Sequence, residues 1–168
     1  MKIATAAAIA LSACIGSVAL AQEPVRPNGD HESMLQSADP TLAANKRLVY
    51  DFWREVFEGG HLDLAEKYLA PGYIQHNPLV PTGREAFVQF FSRFKKPVPI
   101  EPKIKGPLVS IVAERDLVIL SFVREYPEPS DPTRKYTTTW FDKFRIESGK
   151  IVEHWDPAIK QPPAPAKQ

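Results

Sequence analysis

Two β-strands joined by a tight turn are encoded in residues 136–156, which read YTTTWFDKFRIESGKIVEHWD. β-Branched and aromatic residues dominate both halves of this stretch, as is typical of strands. Ser148-Gly149 separates the halves, and a glycine-containing dipeptide between two such runs favours a β-hairpin. The sequence therefore predicts a long strand over 136–147 and a shorter one over 150–156, paired antiparallel.

Alternation along the long strand places one carboxylate among apolar side chains. Asp142 shares a face with Trp140 and Phe144, because successive strand residues point to opposite sides of a sheet. This is the more apolar face and is predicted to lie against helices; it comprises Tyr136, Thr138, Trp140, Asp142, Phe144 and Ile146. A carboxylate there must pair with a cation, accept hydrogen bonds or keep its proton. Asp142 is therefore a candidate general acid or base, the alternative being a structural aspartate bonded to backbone or arginine.

The register of the hairpin determines which side chains lie beside Asp142. With a simple two-residue turn, Glu153 and Trp155 point inward with it. A bulge at the glycine of the turn shifts the register by one residue and brings His154 and Asp156 inward instead. Both registers put a ring and an ionisable group near Asp142, and the sequence leaves the two open.

The first half of the folded region is predicted to be helical and the second half to be strand. Pro40 follows the N-cap residue Asp39 at the start of a helix that Gly59-Gly60 ends. Thr82 and Glu85 form a capping box for a later helix. The predicted helices cover 40–58, 63–69 and 83–94; Pro71-Gly72 ends the second, and a short extended piece over 73–78 follows it. The further strands cover 108–113 and 117–123, and the proline-rich stretch 126–133 is predicted to be a loop. Helices followed by antiparallel strands indicate an α+β fold in which three helices cover one face of a curved sheet.

His76 is the second polar residue that stands out. It follows Tyr73 and precedes Asn77-Pro78, at a bend where the mouth of a cavity is expected; an exposed turn histidine is the alternative. His31, in a polar leader, and His61, near a helix cap, are expected to be solvated or structural. The sequence contains no motif for binding a metal, a nucleotide or a flavin, so no cofactor and no metal are expected.

Composition indicates one globular domain without a strong overall charge. The chain has 168 residues, of which 43% are hydrophobic and 24% charged, enough to bury a core without disulfides. Lys and Arg number 21 and Asp and Glu 20, so loss of Lys2 with a leader peptide makes the mature protein neutral. A neutral protein has no field that attracts nucleic acid or an anionic membrane, and neither partner is expected.

The two ends of the chain resemble processing and linker segments. Residues 1–21 have a positive start, an apolar run and the cleavage pattern Ala19-Leu20-Ala21, which together predict a signal peptide and a periplasmic or secreted protein. A lipoprotein anchored at Cys14 is the lesser alternative, and no membrane segment is expected after cleavage. The remaining predicted segments are a flexible leader over 22–40, the domain over 41–157 and a proline-rich tail over 158–168.

Three parts of the chain resemble the SnoaL-like polyketide cyclases of the nuclear transport factor two-like superfamily: Tyr73-x-x-His76-Asn77-Pro78, the helix over 87–94 and the hairpin over 141–156. The resemblance covers about 45 to 157. It implies a cone-shaped α+β barrel in which the helices and a bent sheet enclose a deep apolar pocket. It also implies cofactor-free proton transfer beside a carbonyl group, as in aldol-type ring closure, and homodimers formed through the sheet.

The resemblance also assigns roles to residues. Asp142 matches the acid/base aspartate of the family and His76 a histidine at the pocket mouth, whereas the family's further histidine near 121–123 has no counterpart here. One hypothesis is a lyase or isomerase in which Asp142 moves a proton and His76 or His154 polarises the substrate oxygen. The other is a protein whose pocket binds a small apolar molecule without turnover. The side chains expected to line the site are Trp53, Tyr73, Trp140, Glu153 and Trp155.

Overall fold

The computed structural model of the protein describes residues 22–160, so the predicted signal peptide and the end of the tail lie outside the described residues. Helices there are α1 (His31–Leu35), α2 (Pro40–Asp51), α3 (Ala65–Tyr68) and α4 (Arg84–Ser92). The chain continues from α2 without a break into a π-helical segment, Phe52–Glu58, and a 3-10 turn, Leu62–Leu64, precedes α3. Within 22–160 no helix combines the length and the apolar character needed to cross a bilayer.

Five strands form one mixed sheet. They are β1 (Leu69–Gln75), β2 (Leu108–Glu114), β3 (Leu117–Glu128), β4 (Asp131–Glu147) and β5 (Lys150–Trp155). Their spatial order is β1-β5-β4-β3-β2, with β1 parallel to β5 and every other neighbouring pair antiparallel. The predicted α+β class is confirmed: helices pack on a largely antiparallel sheet, although β1 precedes α4 in the chain.

The core between the helices and the sheet is rich in aromatic rings. The ring centroid of Phe52, in the π-helical segment, lies 6.1 Å from those of Phe87 in α4 and Phe144 in β4. Leu120 of β3 is completely buried, and Asp142 is only 4% exposed. Burying a large apolar side chain contributes about 1.5–3 kcal/mol. The helices therefore cover the sheet face that carries Asp142, as the alternation predicted.

Helix α2 begins and its π-helical continuation ends where the sequence predicted. The Asp39 carboxylate accepts a hydrogen bond from the Thr41 N–H at 2.7 Å, and Pro40 occupies the first turn. At the far end Gly60 has φ +70°, and a Cβ there would lie 2.5 Å from the carbonyl oxygen of Lys96. Only glycine satisfies both the conformation and the close approach.

The start of α4 differs from the prediction. Gly83, with φ +102°, occupies the N-cap position, and no side chain caps the helix there. Thr82 instead uses its hydroxyl oxygen to accept the backbone N–H of Gln75 at 3.1 Å. The predicted capping box is therefore wrong, because the tertiary contact with β1 takes the hydroxyl that the local cap would need.

Three of the strands begin earlier or end later than the sequence indicated: β1, β3 and β4. β1 already begins at Leu69 and passes Pro71-Gly72 with a register irregularity against β5, although these two residues were expected to end a helix. The proline-rich stretch 126–133 was expected to be a loop and forms the far end of the β3–β4 hairpin. Prolines are tolerated there because the pairing shifts register between Pro127 and Glu128, where a ladder bond is not required.

Part of the predicted flexible leader is folded onto the domain. The Asn28 N–H donates to the Leu108 carbonyl oxygen at 2.8 Å, which anchors the segment to β2. In α1, His31 and Leu35 are only 7% and 4% exposed. Nδ1 of His31 lies 2.9 Å from the Tyr50 hydroxyl. Of the two roles expected for His31, solvated or structural, the structure has the structural one, since the histidine is a buried contact of the domain.

Candidate active site

The β4–β5 hairpin contains both a two-residue turn and a bulge, the two features that the sequence left open. Ser148-Gly149 forms a two-residue turn with both φ values positive, which suits the right-handed twist of a hairpin. The bulge lies further along, at Val152, and not at the turn. Beyond it Phe144 faces His154, and Glu153 is displaced to the outer face of the sheet. Of the two open registers, the structure therefore has the inward histidine.

A cavity of about 300 Å³ lies between the helices and the inner face of the sheet. Its apolar wall is formed by Phe52, Trp53, Phe57, Leu79, Val80, Phe87, Phe90, Phe91 and Phe144. Its polar wall is formed by Tyr73, Gln75, Asn77, Asp142, His154 and Asp156. A mostly aromatic interior with a few converging polar groups is the usual form of a small-molecule site.

Asp142 and His154 form a buried pair at this polar wall. Nε2 of His154 lies 3.1 Å from Oδ1 of Asp142, and the two residues are 6% and 4% exposed. Neighbouring strands hold them: Asp142 belongs to β4 and His154 to β5. The ring of Phe144 packs 4.6 Å from the imidazole, centroid to centroid. The pair is therefore shielded from water and held by the sheet.

The position of the proton on His154 follows from a chain of hydrogen bonds. The backbone N–H of Asn77, which can only donate, lies 3.0 Å from Oε1 of Gln75 and so assigns the orientation of that amide. Nδ1 of His154 lies 2.8 Å from the same oxygen and must donate to it. Nε2 is then left facing Asp142, and the two residues share one proton between Nε2 and Oδ1. Whichever atom holds it, the pair has no net charge.

The second carboxyl oxygen of Asp142 is free. Oδ2 is buried and has no hydrogen-bond partner among residues 22–160. Burial raises the pKa of Asp142 above its ordinary value, and the negative charge of Asp156 adds to the rise. The hydrogen bond and the charge of His154 oppose this rise, as does the nearby indole N–H of Trp140. Because the shared proton lies between Nε2 of His154 and Oδ1, Oδ2 can accept a hydrogen bond or a proton from a ligand in the cavity.

Tyr73 supplies a donor to the same cavity. Its hydroxyl oxygen accepts the Nε2–H of Gln75 at 3.0 Å, and the tyrosine is 1% exposed. Burial raises the pKa of Tyr73 far above its ordinary value, and the charges of Asp156 and Asp142 raise it further. The phenol therefore keeps its proton. With its acceptor position occupied by Gln75, the O–H is left to donate to a ligand.

Asp156 carries a fixed negative charge beside the pair. Oδ2 accepts from the Asn77 side-chain amide at 2.7 Å and Oδ1 from the Ala158 N–H at 2.9 Å. Ligand atoms of Asp142, His154 and Asp156 all lie within 4.8 Å of one another, so these three could each offer one atom to a metal ion. Both oxygens of Asp156 already accept hydrogen bonds, and the Asp142–His154 proton would have to leave before a cation could bind.

Three of the predicted site residues lie together on the outer side of the sheet. The imidazole of His76 stacks on the indole of Trp155 at 5.0 Å between centroids, with 6° between the planes. Nε2 of His76 lies 2.7 Å from Oε1 of Glu153, whose Oε2 accepts from Arg145 at 2.8 Å. Hydrogen bonds from His76 and Arg145 lower the pKa of Glu153. None of these residues lines the cavity.

The other two predicted lining residues are separated by the structure. Trp53 lines the cavity, stacks on Phe122 at 4.8 Å and donates its indole N–H to Glu58 at 3.2 Å. Trp140 lies on the inner face next to Asp142 but outside the cavity wall, with the Arg124 guanidinium 5.0 Å from its ring centroid. The structure thus brings Trp53 to the cavity with Tyr73, Asp142 and His154.

Sequence reasoning missed Gln75 and Asn77. Gln75 lies two residues after Tyr73 on β1, so the same alternation that places Tyr73 inward would have placed Gln75 inward as well. Asn77 follows the end of the strand, where the side chain binds Asp156 and the N–H binds Gln75. No local pattern marks that role, since its partner lies 79 residues away in the chain.

Comparison with known proteins identifies relatives. The SnoaL-like domain family matches residues 49–154, and the search of curated proteins gave no match. Among solved structures the chain is similar to TsrD from Streptomyces laurentii, with 21% identity, a TM-score of 0.45, and 71% of this chain and 90% of that chain covered.

A second similar structure is a proposed SnoaL-like polyketide cyclase from Jannaschia sp. CCS1, with 18% identity, a TM-score of 0.48, and 73% of this chain and 91% of that chain covered. A proposed polyketide cyclase from Acidithiobacillus ferrooxidans has 16% identity and a TM-score of 0.48, with 72% of this chain and 89% of that chain covered. The match over residues 49–154, which includes Tyr73, Asp142 and His154, shows that this chain belongs to the SnoaL-like domain family.

Proposed function

We propose that the protein is an exported, cofactor-free enzyme that moves a proton to and from the carbon beside a carbonyl group of a small apolar compound. The observation that carries this proposal is Oδ2 of Asp142: this carboxyl oxygen is buried, has no partner among the described residues, and belongs to a residue of the cavity wall. Aspartates that serve only the core have their oxygens hydrogen-bonded. An acid/base group, in contrast, needs one oxygen for the substrate.

The chemical step uses two groups of the cavity. Oδ2 of Asp142 takes the proton from the α-carbon, and His154 carries the positive charge that the pair gains. The electron pair left by the C–H bond moves to the carbonyl oxygen, which accepts a hydrogen bond from the Tyr73 O–H. Return of the proton to another carbon gives isomerisation. In aldol-type closure the enolate carbon bonds to a second carbonyl carbon, whose oxygen takes the proton from the pair.

Asp156 supports this step through its charge. It has a ligand atom within 4.8 Å of Asp142 and His154. When the pair gains a proton it becomes a cation, and a nearby fixed carboxylate stabilises that cation. The same charge raises the pKa of Asp142, which makes the carboxylate a stronger base.

Exchange of α-protons with solvent tests the proposal without a known natural substrate. The probe is 2-tetralone in D2O, an apolar ketone with acidic C–H groups, followed by loss of the α-proton signals in NMR. The wild-type protein is expected to accelerate exchange, and Asp142→Asn to lower that acceleration by about 100-fold or more. His76→Ala, a change on the outer side of the sheet, is the matched control and should keep the acceleration within about twofold.

The alternative is a non-catalytic protein that binds a small apolar ligand in the same cavity. The observation that favours it is the continuous aromatic wall, which binds apolar compounds whether or not chemistry follows. The variant Asp142→Asn distinguishes the two functions. It should keep the affinity for 2-tetralone within a few fold in both cases, but it should reduce the acceleration of proton exchange only if Asp142 is the acid/base group. Two outcomes would contradict the enzymatic role of Asp142. In one, Asp142→Asn exchanges the α-protons as fast as the wild-type protein; in the other, the wild-type protein binds 2-tetralone but does not accelerate the exchange.

Export and dimerisation belong to the same proposal. Residues 1–21 carry the pattern of a signal peptide, which supports a periplasmic or secreted location. Phe141 and Val112 lie on the outer face of the sheet and are 51% and 54% exposed, which supports a homodimer formed through that face. A monomer in analytical ultracentrifugation at micromolar concentration would contradict the dimer.

A further inference from the structure

The cavity that holds the proposed site has an uneven distribution of charge. Its polar wall contains Asp142, His154 and Asp156, and no lysine or arginine is among the residues that line it. The Asp142–His154 pair is neutral overall, because one proton is shared between the two residues. Each oxygen of the Asp156 carboxylate accepts one N–H hydrogen bond. The lining therefore has a net charge of one negative unit.

One cation, Lys95, packs against two residues of the wall. The Lys95 ammonium sits over the rings of Phe57 and Phe91, at 4.3 and 5.7 Å from their centroids, and donates to the Phe57 carbonyl oxygen. Burial lowers the pKa of Lys95. Lys95 is not part of the lining, so it offers no N–H to a ligand inside.

Two further features suit a cationic ligand. Oδ2 of Asp142 is a buried acceptor that lacks a partner among the described residues, and an ammonium group carries only donors. Eight of the side chains that line the cavity are aromatic, and cations are attracted to aromatic faces.

We propose that the cavity selects its ligand by charge: it binds an aromatic compound with a protonated amine more tightly than the same skeleton with a hydroxyl or a carboxylate, and Asp156 is the selecting residue. The inference rests on the cavity assigned above as the active site and concerns binding alone. An ammonium held at Oδ2 of Asp142 occupies the atom that takes the α-proton in the proposed reaction, so such an amine competes with the substrate for the cavity. The selection does not depend on turnover, because it acts on binding.

The size of the effect follows from the distances. A ligand ammonium that contacts Asp142 lies within about 8 Å of the Asp156 carboxylate, since ligand atoms of the two residues are within 4.8 Å of each other and a hydrogen bond adds about 3 Å. At an effective dielectric constant of about 20, two unit charges about 8 Å apart change affinity by roughly 30-fold, and by more at shorter separations. Desolvation of the amine reduces this gain in affinity, so we expect the amine to bind about 10-fold more tightly than the neutral compound.

Titration calorimetry with three matched probes tests the inference: 2-phenylethylamine, 2-phenylethanol and phenylacetate, each with the full mature chain at neutral pH. The amine is expected to bind about 10-fold more tightly than the alcohol, and the acid about 10-fold more weakly. Asp156→Asn should reduce the ratio of amine to acid affinity by at least about 10-fold. Asp63→Asn removes the same charge from an exposed position and should leave the ratio unchanged.

Several results would overturn the charge selection. They are equal affinity for the amine and the alcohol, no binding of the amine at millimolar concentration, and a ratio that Asp156→Asn does not alter. The probe series in the wild-type protein remains decisive if the variant does not fold. Charge selection together with unaccelerated exchange of 2-tetralone would refute the proposed catalysis and leave the selection standing.

Discussion

Replacing Gln75 by leucine should change where His154 carries its proton. The Gln75 amide accepts from the Asn77 N–H at 3.0 Å and from Nδ1 of His154 at 2.8 Å, and donates to Tyr73 at 3.0 Å. Leucine is of similar size and offers no hydrogen bond. Nδ1–H would then be a buried donor without an acceptor, and its proton should leave that atom.

The loss in free energy of unfolding follows from these contacts. An unsatisfied buried donor costs about 1–3 kcal/mol, and the partly exposed Asn77 N–H loses a bond of about 0.5–1.5 kcal/mol. We therefore expect Gln75→Leu to lower the free energy of unfolding by about 2–4 kcal/mol. A penalty of about 2 kcal/mol on the Nδ1–H form disfavours it roughly 30-fold.

Two measurements check this prediction. Urea unfolding gives the stability, and ¹⁵N NMR of the His154 ring reports which nitrogen is protonated. Gln75→Glu keeps both acceptor contacts and should retain the proton on Nδ1, whereas Gln75→Leu should lose it. Gln89→Leu, at an exposed position of α4, controls for the gain of an apolar side chain. A protonated Nδ1 in Gln75→Leu, or an unprotonated one in the wild-type protein, would refute the hydrogen-bond chain.

Two further predictions concern pH. Burial raises the pKa of Asp142, so the stability that the protonated Asp142 contributes is complete below about pH 3.9 and is lost as pH rises through the folded pKa. In urea unfolding from pH 4 to 8, the free energy of unfolding should therefore decline less in Asp142→Asn than in the wild-type protein. Burial lowers the pKa of His31, and the charge of Lys103 lowers it further. The stability that the neutral His31 contributes is therefore present above about pH 6.5 and is lost as pH falls through the folded pKa. The stability difference between wild type and His31→Gln should accordingly shrink between pH 7.5 and 5, and a constant difference would show that the contact with Tyr50 does not depend on the charge of His31.

The corrected expectations share one cause. The Thr82–Glu85 capping box, the proline-rich loop and the flexible leader were each inferred from residues close together in the chain. In the structure each segment makes a distant contact: Thr82 with Gln75 of β1, the prolines with the other strand of their hairpin, and His31 with Tyr50. Local propensity is worth about 1 kcal/mol or less per residue, so tertiary contacts override it readily.

The sequence by itself determined the class of fold, the position of the hairpin and the burial of Asp142, because strand alternation depends only on the order of residues. It also indicated the SnoaL-like family. Only the tertiary structure decided that His154 faces Asp142 while Glu153 and Trp155 lie outside, since one bulge at Val152 reverses the side to which the following residues point. The place of His76 beside Trp155 depends on the pairing of β1 with β5. The hydrogen bonds through Gln75 likewise required β1 and β5 to lie side by side, and that pairing joins residues about 80 positions apart.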